Sequence, residues 1–255
     1  MPGRFQLNGR TALVTGSARG IGRAIALALA ECGAVVAVHG LESGVPLADT
    51  LAEVRKLSPD SIPVAGDLAQ PDAVRRILAD TVAAIGSPDI LVLNASIQIR
   101  KPWSEITLDE SLEQMQVNFH ASLQLMQDAA PAMAARKWGR IVTIGSVQQY
   151  RPHPQMPVYA ASKSALENLV RNLAVQLAPD GITLNNLSPG AIATDRNQAV
   201  LDNHAYLQTV LGKIPLGRIG TPEDCAGVVM LLCSEAGSYI TGADLRVDGG
   251  MSLNF

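Results

Sequence analysis

Two residues that could transfer a proton, Tyr159 and Lys163, lie four positions apart in a helix-forming segment. Side chains at this spacing project from one face of a helix, so we expect the phenol and the ammonium group to lie close together. A free tyrosine ionises near pH ~10, which makes it a poor acid or base at neutral pH. A neighbouring ammonium group favours the phenolate and lowers the pKa of the phenol. The pair predicts a proton-transfer centre, although the same spacing also occurs by chance at protein surfaces.

Short β-rich runs alternate with longer helical runs, the pattern of a parallel sheet covered on both faces. We expect strands at 11–15, 35–38, 62–65, 90–93, 141–144, 182–185 and 244–247. Helices are expected at 20–31, 46–57, 71–85, 108–136, 158–177 and 222–234, the fourth broken near 117–121 because of its length. The prediction is an α/β fold: one doubly wound Rossmann-type domain over residues 1–255, with a parallel seven-stranded sheet flanked by helices on both faces.

Composition excludes several function classes. The chain has 255 residues, a net charge of −3 and a pI near 5.8, so no basic field favours nucleic acid as a partner. Its three cysteines lack metal-ligand spacing and its four histidines are dispersed, so no metal site is expected. The amino terminus is polar, and the most apolar stretch, 24–38, is too short to span a bilayer. We therefore expect a soluble cytoplasmic protein.

A glycine-rich turn, Gly16-Ser-Ala-Arg-Gly20-Ile-Gly22, joins the first predicted strand to the first helix. Glycines at such a junction let backbone N–H groups approach a pyrophosphate at the positive end of the helix. The turn therefore predicts dinucleotide binding, with a merely strained connection as the alternative.

These motifs, taken in order, resemble those of the classical short-chain dehydrogenases/reductases over essentially the whole chain. Thr15 to Gly22 matches the cofactor turn, Asp67-Leu68 the adenine contact, and Pro189-Gly190-Ala-Ile192-Ala-Thr194 the nicotinamide-carboxamide segment. The family's usual Asn-Asn-Ala-Gly here reads Leu93-Asn94-Ala95-Ser96. The resemblance implies the following cofactor-binding residues: Gly16, Ser17, Arg19, Gly20, Ile21, Gly22, Asp67, Leu68, Asn94, Ala95, Tyr159, Lys163, Pro189, Gly190, Ile192 and Thr194.

The resemblance also implies a catalytic set, Asn118, Ser146, Tyr159 and Lys163, and hydride transfer between nicotinamide and a secondary alcohol or ketone. Tyr159 would exchange the proton with the substrate oxygen, and Lys163 would lower the pKa of Tyr159 and bind the nicotinamide ribose. Ser146 would hold the substrate oxygen, and Asn118 would break a helix and complete a proton relay. The rivals are a non-catalytic dinucleotide sensor and a structural α/β domain; the presence of both Tyr159 and Lys163 favours the enzyme.

Substrate groups are expected to meet segments 97–100, 147–157 and 191–212, of which 191–215 is predicted to be a mobile, partly helical insertion. The polar residues there are Gln98, Gln148, Gln149, Tyr150, His153, Arg196 and Asn197. They favour a small polar substrate such as a sugar, polyol or sugar acid, unless they are only solvated loop residues. The alternative is an enzyme similar to 3-oxoacyl-[acyl-carrier-protein] reductases, which a basic rim of Arg100, Lys101, Arg136 and Lys137 would favour.

Cofactor preference depends on charge at the end of the second strand. The usual acidic position falls on Gly40 and the usual arginine position on Leu41, so both determinants are missing. Glu42 would favour NAD(H), whereas Arg19, with His39 as a further donor, would favour NADP(H). We expect NADP(H) to be slightly favoured over NAD(H).

The predicted helix 158–177 carries small and apolar residues beyond one stripe, namely Ala160, Ala161, Ala165, Leu166, Leu169 and Leu173. A helix that is apolar on several sides is usually buried on several sides. The resemblance implies assembly as tetramers through this helix. With the apolar pattern, it predicts a homotetramer; the alternative is that the helix is buried inside the monomer.

Overall fold

One seven-stranded parallel sheet forms the centre of the computed structural model, which describes residues 2–198 and 202–253. The strands are β1 Thr11–Val14, β2 Val35–Gly40, β3 Ile62–Ala65, β4 Ile90–Leu93, β5 Gly139–Ile144, β6 Ile182–Pro189 and β7 Asp244–Val247. Their order across the sheet is β3-β2-β1-β4-β5-β6-β7. The order reverses between β1 and β4, which places a ligand crevice beyond the carboxyl ends of those strands. The predicted fold class is confirmed.

Helices cover both faces of the sheet. They are α1 Gly20–Glu31, α2 Val45–Leu57, α3 Pro71–Ile85, α4 Leu108–Met115, α5 Ala121–Arg136, α6 Pro157–Leu177, α7 His204–Leu211 and α8 Pro222–Cys233. One apolar cluster packs α1, α2 and α8 against one face, and a second packs α3, α5 and α6 against the other. Successive strand residues such as Ala12 and Leu13 belong to opposite clusters, as side-chain alternation requires.

Two strands extend further at their carboxyl ends than the sequence predicts. β6 continues past residue 185 to Pro189, and β2 continues past residue 38 to Gly40. Asn186 is polar but fully buried, and its side-chain amide donates to Asp244 Oδ1 of β7 at 2.5 Å. A polar residue is tolerated inside a strand when the neighbouring strand supplies its hydrogen-bond partner. The prediction stopped at 185 because that partner is distant in sequence.

The break predicted near 117–121 is confirmed, because a π-helical segment, Gln116–His120, separates α4 from α5. The amino end of α4 is a capping box between Thr107 and Glu110. The 191–215 segment is partly helical as predicted: it contains a 3₁₀ turn, Asp195–Asn197, and α7. Its residues 199–201 lie outside the described part of the chain. Within residues 2–198 and 202–253, no helix has the length and apolarity needed to cross a membrane.

Candidate active site

A cleft of about 580 Å³ opens at the carboxyl edge of the sheet, where the loops after β1, β4, β5 and β6 meet. Its volume lies in the range of small-molecule and cofactor sites. Most of the predicted site residues line it: Gly16, Arg19, Gly20, Ile21, Asp67, Leu68, Asn94, Ala95, Ser146, Tyr159, Lys163, Pro189, Gly190, Ile192 and Thr194. Three predicted residues, Ser17, Gly22 and Asn118, are not among its lining residues and support the cleft from behind.

The turn between β1 and α1 needs its glycines. Gly16 has φ +64°, and a Cβ there would lie 2.9 Å from Ala95 Cα. At Gly22 a Cβ would lie 2.4 Å from the carbonyl oxygen of Gly16, so the helix could not pack against the turn. No side chain caps the amino end of α1, and its first turn carries no acidic residue. The end of this helix is therefore an electropositive site that fits a pyrophosphate.

His39 supports this turn from the end of β2. Gly16 N–H donates to His39 Nδ1 at 2.9 Å, and the other ring nitrogen lies 3.0 Å from the Gly66 carbonyl oxygen. Since Nδ1 accepts, the ring is neutral and Nε2 carries the proton. Burial lowers the pKa of His39, which favours the same neutral form. The expectation that His39 adds a donor for a phosphate is therefore wrong, because both of its nitrogens are engaged within the protein.

Ser17 also lies beneath the turn. Its side chain is fully buried, donates to the Val14 carbonyl at 2.7 Å and accepts from His39 N–H at 2.9 Å. Any contact of Ser17 with a cofactor is therefore restricted to its backbone.

The end of β4 is tied to the turn by Thr15, a residue that the motif analysis did not single out for a role. Its hydroxyl oxygen accepts from the backbone N–H groups of Asn94 and Ala95 at 3.0 and 3.1 Å. The Asn94 amide in turn donates to the carbonyls of Thr15 and Gly16 at 2.9 and 3.0 Å. Asn94 thus fixes the turn that approaches the cofactor. At the adenine end, Asp67 Oδ1 accepts from Ala69 N–H at 2.9 Å.

Three of the predicted catalytic residues meet on the floor of the cleft. Ser146 follows β5, whereas Tyr159 and Lys163 lie on successive turns of α6, and all three are buried. Lys163 Nζ donates to the Ile144 carbonyl at 2.6 Å and lies 5.8 Å from the centre of the Tyr159 ring. The Ser146 N–H donates to Gln149 Oε1 at 3.2 Å, which orients the serine.

The charges around Tyr159 differ from the sequence expectation. Burial raises the pKa of Tyr159 above its usual value, and hydrogen bonds from Ser146 and Arg196, with the Arg196 charge, oppose this rise. Burial lowers the pKa of Lys163 to about 7, and repulsion from Arg196 adds to the effect. That Lys163 lowers the pKa of Tyr159 stays a prediction. Arg196 is a second cation whose charge lowers the pKa of the phenol, whereas the Lys163 side chain donates to the Ile144 carbonyl.

Asn118 lies in the π-helical segment behind the cleft and is 1% exposed. Its Oδ1 accepts from Ile97 N–H at 2.9 Å, and its Nδ2 donates to the Ile97 carbonyl and to Ser162 Oγ, both at 3.0 Å. Asn118 therefore joins the loop after β4 to the helix that carries Tyr159.

The substrate side of the cleft is lined by Gln98, Arg100, Gln148, His153, Arg196, Asn197 and Lys213, among others. Gln149 and Tyr150, which the sequence analysis placed there, are not among its lining residues: the Tyr150 hydroxyl accepts from Gln149 at 2.9 Å and donates to Asp244 at 2.7 Å. That network links the loop after β5 to β7. Its partners lie 94 positions apart, so sequence spacing gave no sign of it.

The proposed basic rim does not form. Lys101 pairs with Glu110, Lys137 pairs with Asp180, and Arg136 Nε lies 3.2 Å from Asp89. Arg136 and Lys137 also precede β5 and thus lie at the amino edge of the sheet, away from the cleft.

Comparisons with known proteins agree with this geometry. The family model described as "Enoyl-(Acyl carrier protein) reductase" matches residues 16–252. A short-chain type dehydrogenase/reductase from Mycobacterium marinum is 37% identical, superimposes with a TM-score of 0.90, and shares 97% of either chain. The chain belongs to the classical short-chain dehydrogenase/reductase family. As a member of that family it is an oxidoreductase that acts on CH–OH groups with NAD or NADP.

Two further members of the short-chain dehydrogenase/reductase family show the range of its relatives. L-rhamnose 1-dehydrogenase (NAD(P)(+)) from Sphingomonas sp. is 35% identical over 254 residues, covering 97% of this chain and 98% of that one. The structure of 3-oxoacyl (acyl-carrier-protein) reductase from Agrobacterium tumefaciens C58 with NADP bound is 40% identical, with a TM-score of 0.92 and coverage of 98% and 96%.

Proposed function

We propose that this protein interconverts a secondary alcohol and a ketone on a small polar substrate: a sugar, polyol or sugar acid. The observation that carries the proposal is the burial of Ser146, Tyr159 and Lys163 on the floor of one cleft whose other end is a glycine turn. The substrate side of that cleft is lined by amide, imidazole and guanidinium groups, which suit a hydroxylated molecule.

Tyr159 is the proton donor in ketone reduction and the acceptor in alcohol oxidation. Its raised pKa keeps it protonated at neutral pH, so Tyr159 is ready to donate to a ketone oxygen. Ser146 positions the same substrate oxygen, because it lines the same cleft as the phenol. A bound nicotinamide would supply or take up the hydride. Asn118 holds the loop after β4 in place beside these groups.

The residues at the glycine turn fit a dinucleotide. The open N–H groups at the amino end of α1 would hold its pyrophosphate, and Asp67 and Leu68 would lie at its adenine. Pro189, Gly190, Ile192 and Thr194 line the far end, where the nicotinamide would bind. Lys163 would reach the adjoining ribose.

We infer a slight preference for NADP(H). Gly40 and Leu41 line the cleft without a carboxylate, whereas the Arg19 side chain is 74% exposed and only loosely paired with Asp195 at 3.9 Å. Arg19 is therefore available to a 2′-phosphate. Dissociation constants for NADPH and NADH, measured for the wild type and Arg19→Ala, test this: the variant should weaken NADPH binding while leaving NADH nearly unchanged.

The alternative function is the reduction of 3-oxoacyl thioesters, and a relative with that name supports it. The paired state of Lys101, Arg136 and Lys137 weakens it, since no basic rim is left for an acidic carrier protein. The deciding experiment is a panel of sugars, polyols, sugar acids and acetoacetyl thioesters, assayed with both cofactors by absorbance at the nicotinamide band. Turnover of the thioesters alone would reverse our order of preference.

We further propose a homotetramer, as the sequence of the α6 helix suggests. Trp103, Leu108 and Leu112 are large apolar side chains exposed by 80%, 72% and 56%, and α4, which carries the two leucines, contacts α6. Large exposed apolar side chains beside α6 support an interface on this side of the molecule. The mass in solution at micromolar concentration tests this, and a monomer would contradict it. Cytoplasmic location stays a prediction from the sequence.

A further inference from the structure

We propose that Arg196 binds a carboxylate of the substrate, so that hydroxy acids are preferred over neutral sugars and polyols. The inference rests on the proposed function and narrows it to one substrate class.

Arg196 lines the substrate side of the cleft. It belongs to the 3₁₀ turn after β6, and its guanidinium donates to Ser96 Oγ at 2.9 Å and to the Ser96 carbonyl at 2.6 Å. Arg196 and Tyr159 line the same cleft, and the positive charge of Arg196 opposes the rise that burial causes in the pKa of the Tyr159 phenol. The planar fork of five N–H groups is thus anchored from one side and lies beside the hydroxyl that exchanges the proton. A substrate oxygen that reaches Tyr159 must come close to this cation.

Ser96 explains how the arginine is held there. This position departs from the glycine of the related motif, and a glycine has no hydroxyl to accept from Arg196. The two residues lie 100 positions apart and form a pair only in the folded protein. The hydrogen bonds to Ser96 therefore hold the Arg196 guanidinium in the wall of the cleft.

The charge balance on this side of the cleft favours an anion. Arg196, Arg100 and Lys213 all line it, and among the described residues no carboxylate lies within salt-bridge distance of any of the three. Burial lowers the pKa of His153, and the nearby charges of Arg100 and Lys213 lower it further. Of the acidic residues that line the cleft, Asp67 follows β3 at the cofactor end, which leaves Glu113 of α4 and Asp195, the neighbour of Arg196.

The three cations outnumber these two carboxylates, so this side of the cleft is net positive in a protein whose net charge is −3. A guanidinium fork matches the two oxygens of a carboxylate, and such charge-assisted bonds are stronger than those to a neutral hydroxyl. Because Arg196 lies beside Tyr159, the carboxylate would be attached close to the carbon that is oxidised.

The test compares matched substrate pairs: aldonates and the alditols of the same carbon skeleton, with the corresponding sugar phosphates as a third arm. The wild type should favour the acids. Arg196→Gln should lower kcat/KM for the acid about 10–100-fold, mainly through KM, and for the alditol less than about threefold. Inhibition constants of unreactive carboxylates should weaken by a similar factor, which gives a readout that does not depend on turnover.

Ser96→Ala is the matched control, since it removes the hydroxyl acceptor but keeps the Arg196 charge and its hydrogen bond to the backbone carbonyl of residue 96. The ratio of acid to alditol activity should change less than about threefold in this variant. An equal loss on acids and alditols in Arg196→Gln would overturn the inference, as would a preference of the wild type for alditols or sugar phosphates. In those cases activity on a polar alcohol persists, so the proposed function stands. Absence of activity on every sugar, polyol and acid would instead refute the proposed function itself.

Discussion

Replacing Asn118 with alanine should separate a structural role from a role in proton relay. The side chain is 1% exposed and makes three hydrogen bonds, two to the Ile97 backbone and one to Ser162. Ser162 keeps a partner, since its hydroxyl also donates to the Tyr159 carbonyl at 2.7 Å. The backbone N–H and carbonyl groups of Ile97 lose their hydrogen-bond partner, and each buried group left unpaired lowers the free energy of unfolding by about 1–3 kcal/mol. Ile97 lines the cleft, where water offsets part of that cost, so we expect a loss of about 2–4 kcal/mol.

The assay is denaturant unfolding together with a thermal melt, in which a loss of this size lowers Tm by roughly 4–16 °C for a chain of this length. Asn118→Asp serves as a second variant, because it keeps the volume and the acceptor for Ile97 N–H but opposes two oxygens at the Ile97 carbonyl. Asn172→Ala is the control: its hydrogen bonds are exposed, and its effect should stay within about 0.5 kcal/mol. Should Asn118→Ala unfold like the wild type while losing turnover, Asn118 would act in the chemistry and not as a tie.

Three further predictions follow from the cleft. Tyr159→Phe should lower turnover about 10²–10⁴-fold while NADPH still binds in fluorescence titration, and near-normal turnover would refute the role of the phenol. Tyr150→Phe breaks the path from Gln149 to Asp244, so it should lower Tm and reduce kcat several-fold, whereas Tyr239→Phe, at a fully exposed site, should change neither. The pKa of about 7 for Lys163 is tested by comparing the free energies of unfolding of the wild type and Lys163→Met between pH 7 and 8.5. In this window the unfolded chain holds the lysine proton and the folded chain releases it, so wild-type stability should rise with pH by up to about 1.4 kcal/mol per unit relative to the variant; parallel curves would mean that the lysine stays charged.

Much of the cleft could be predicted because its parts are set by local sequence. A glycine turn after a strand, a serine after β5 and a tyrosine–lysine pair on one helix face each have a signature of a few residues. Parallel strands then bring their carboxyl ends to the same edge of the sheet, which places these parts together. The break before α5 was also visible, since an uninterrupted helix over 108–136 would have been unusually long.

Contacts between distant segments could not be predicted in this way. His39 looked like a free donor beside the cofactor, but the folded chain gives both of its nitrogens to backbone partners. Tyr150 was expected to contact substrate, but its hydroxyl donates a hydrogen bond to Asp244 of β7. In each case the residue type was correctly judged to be polar and close to the site. The direction in which each side chain points depended on a partner that is distant in sequence and comes close only in the folded sheet.

The positions of Lys163 and Arg196 also affect the pKa values of the groups around Tyr159. Lys163 is almost fully buried, and its charge is held against the Ile144 carbonyl, so burial makes that charge costly. Repulsion from Arg196 adds to this cost, so burial and Arg196 together oppose protonation of Lys163. An anionic substrate group beside Arg196 would offset that repulsion and favour the charged lysine. Substrate charge, the protonation of Lys163 and the acidity of Tyr159 are therefore linked through one arginine, which is why a carboxylate in this cleft would contribute to chemistry as well as to binding.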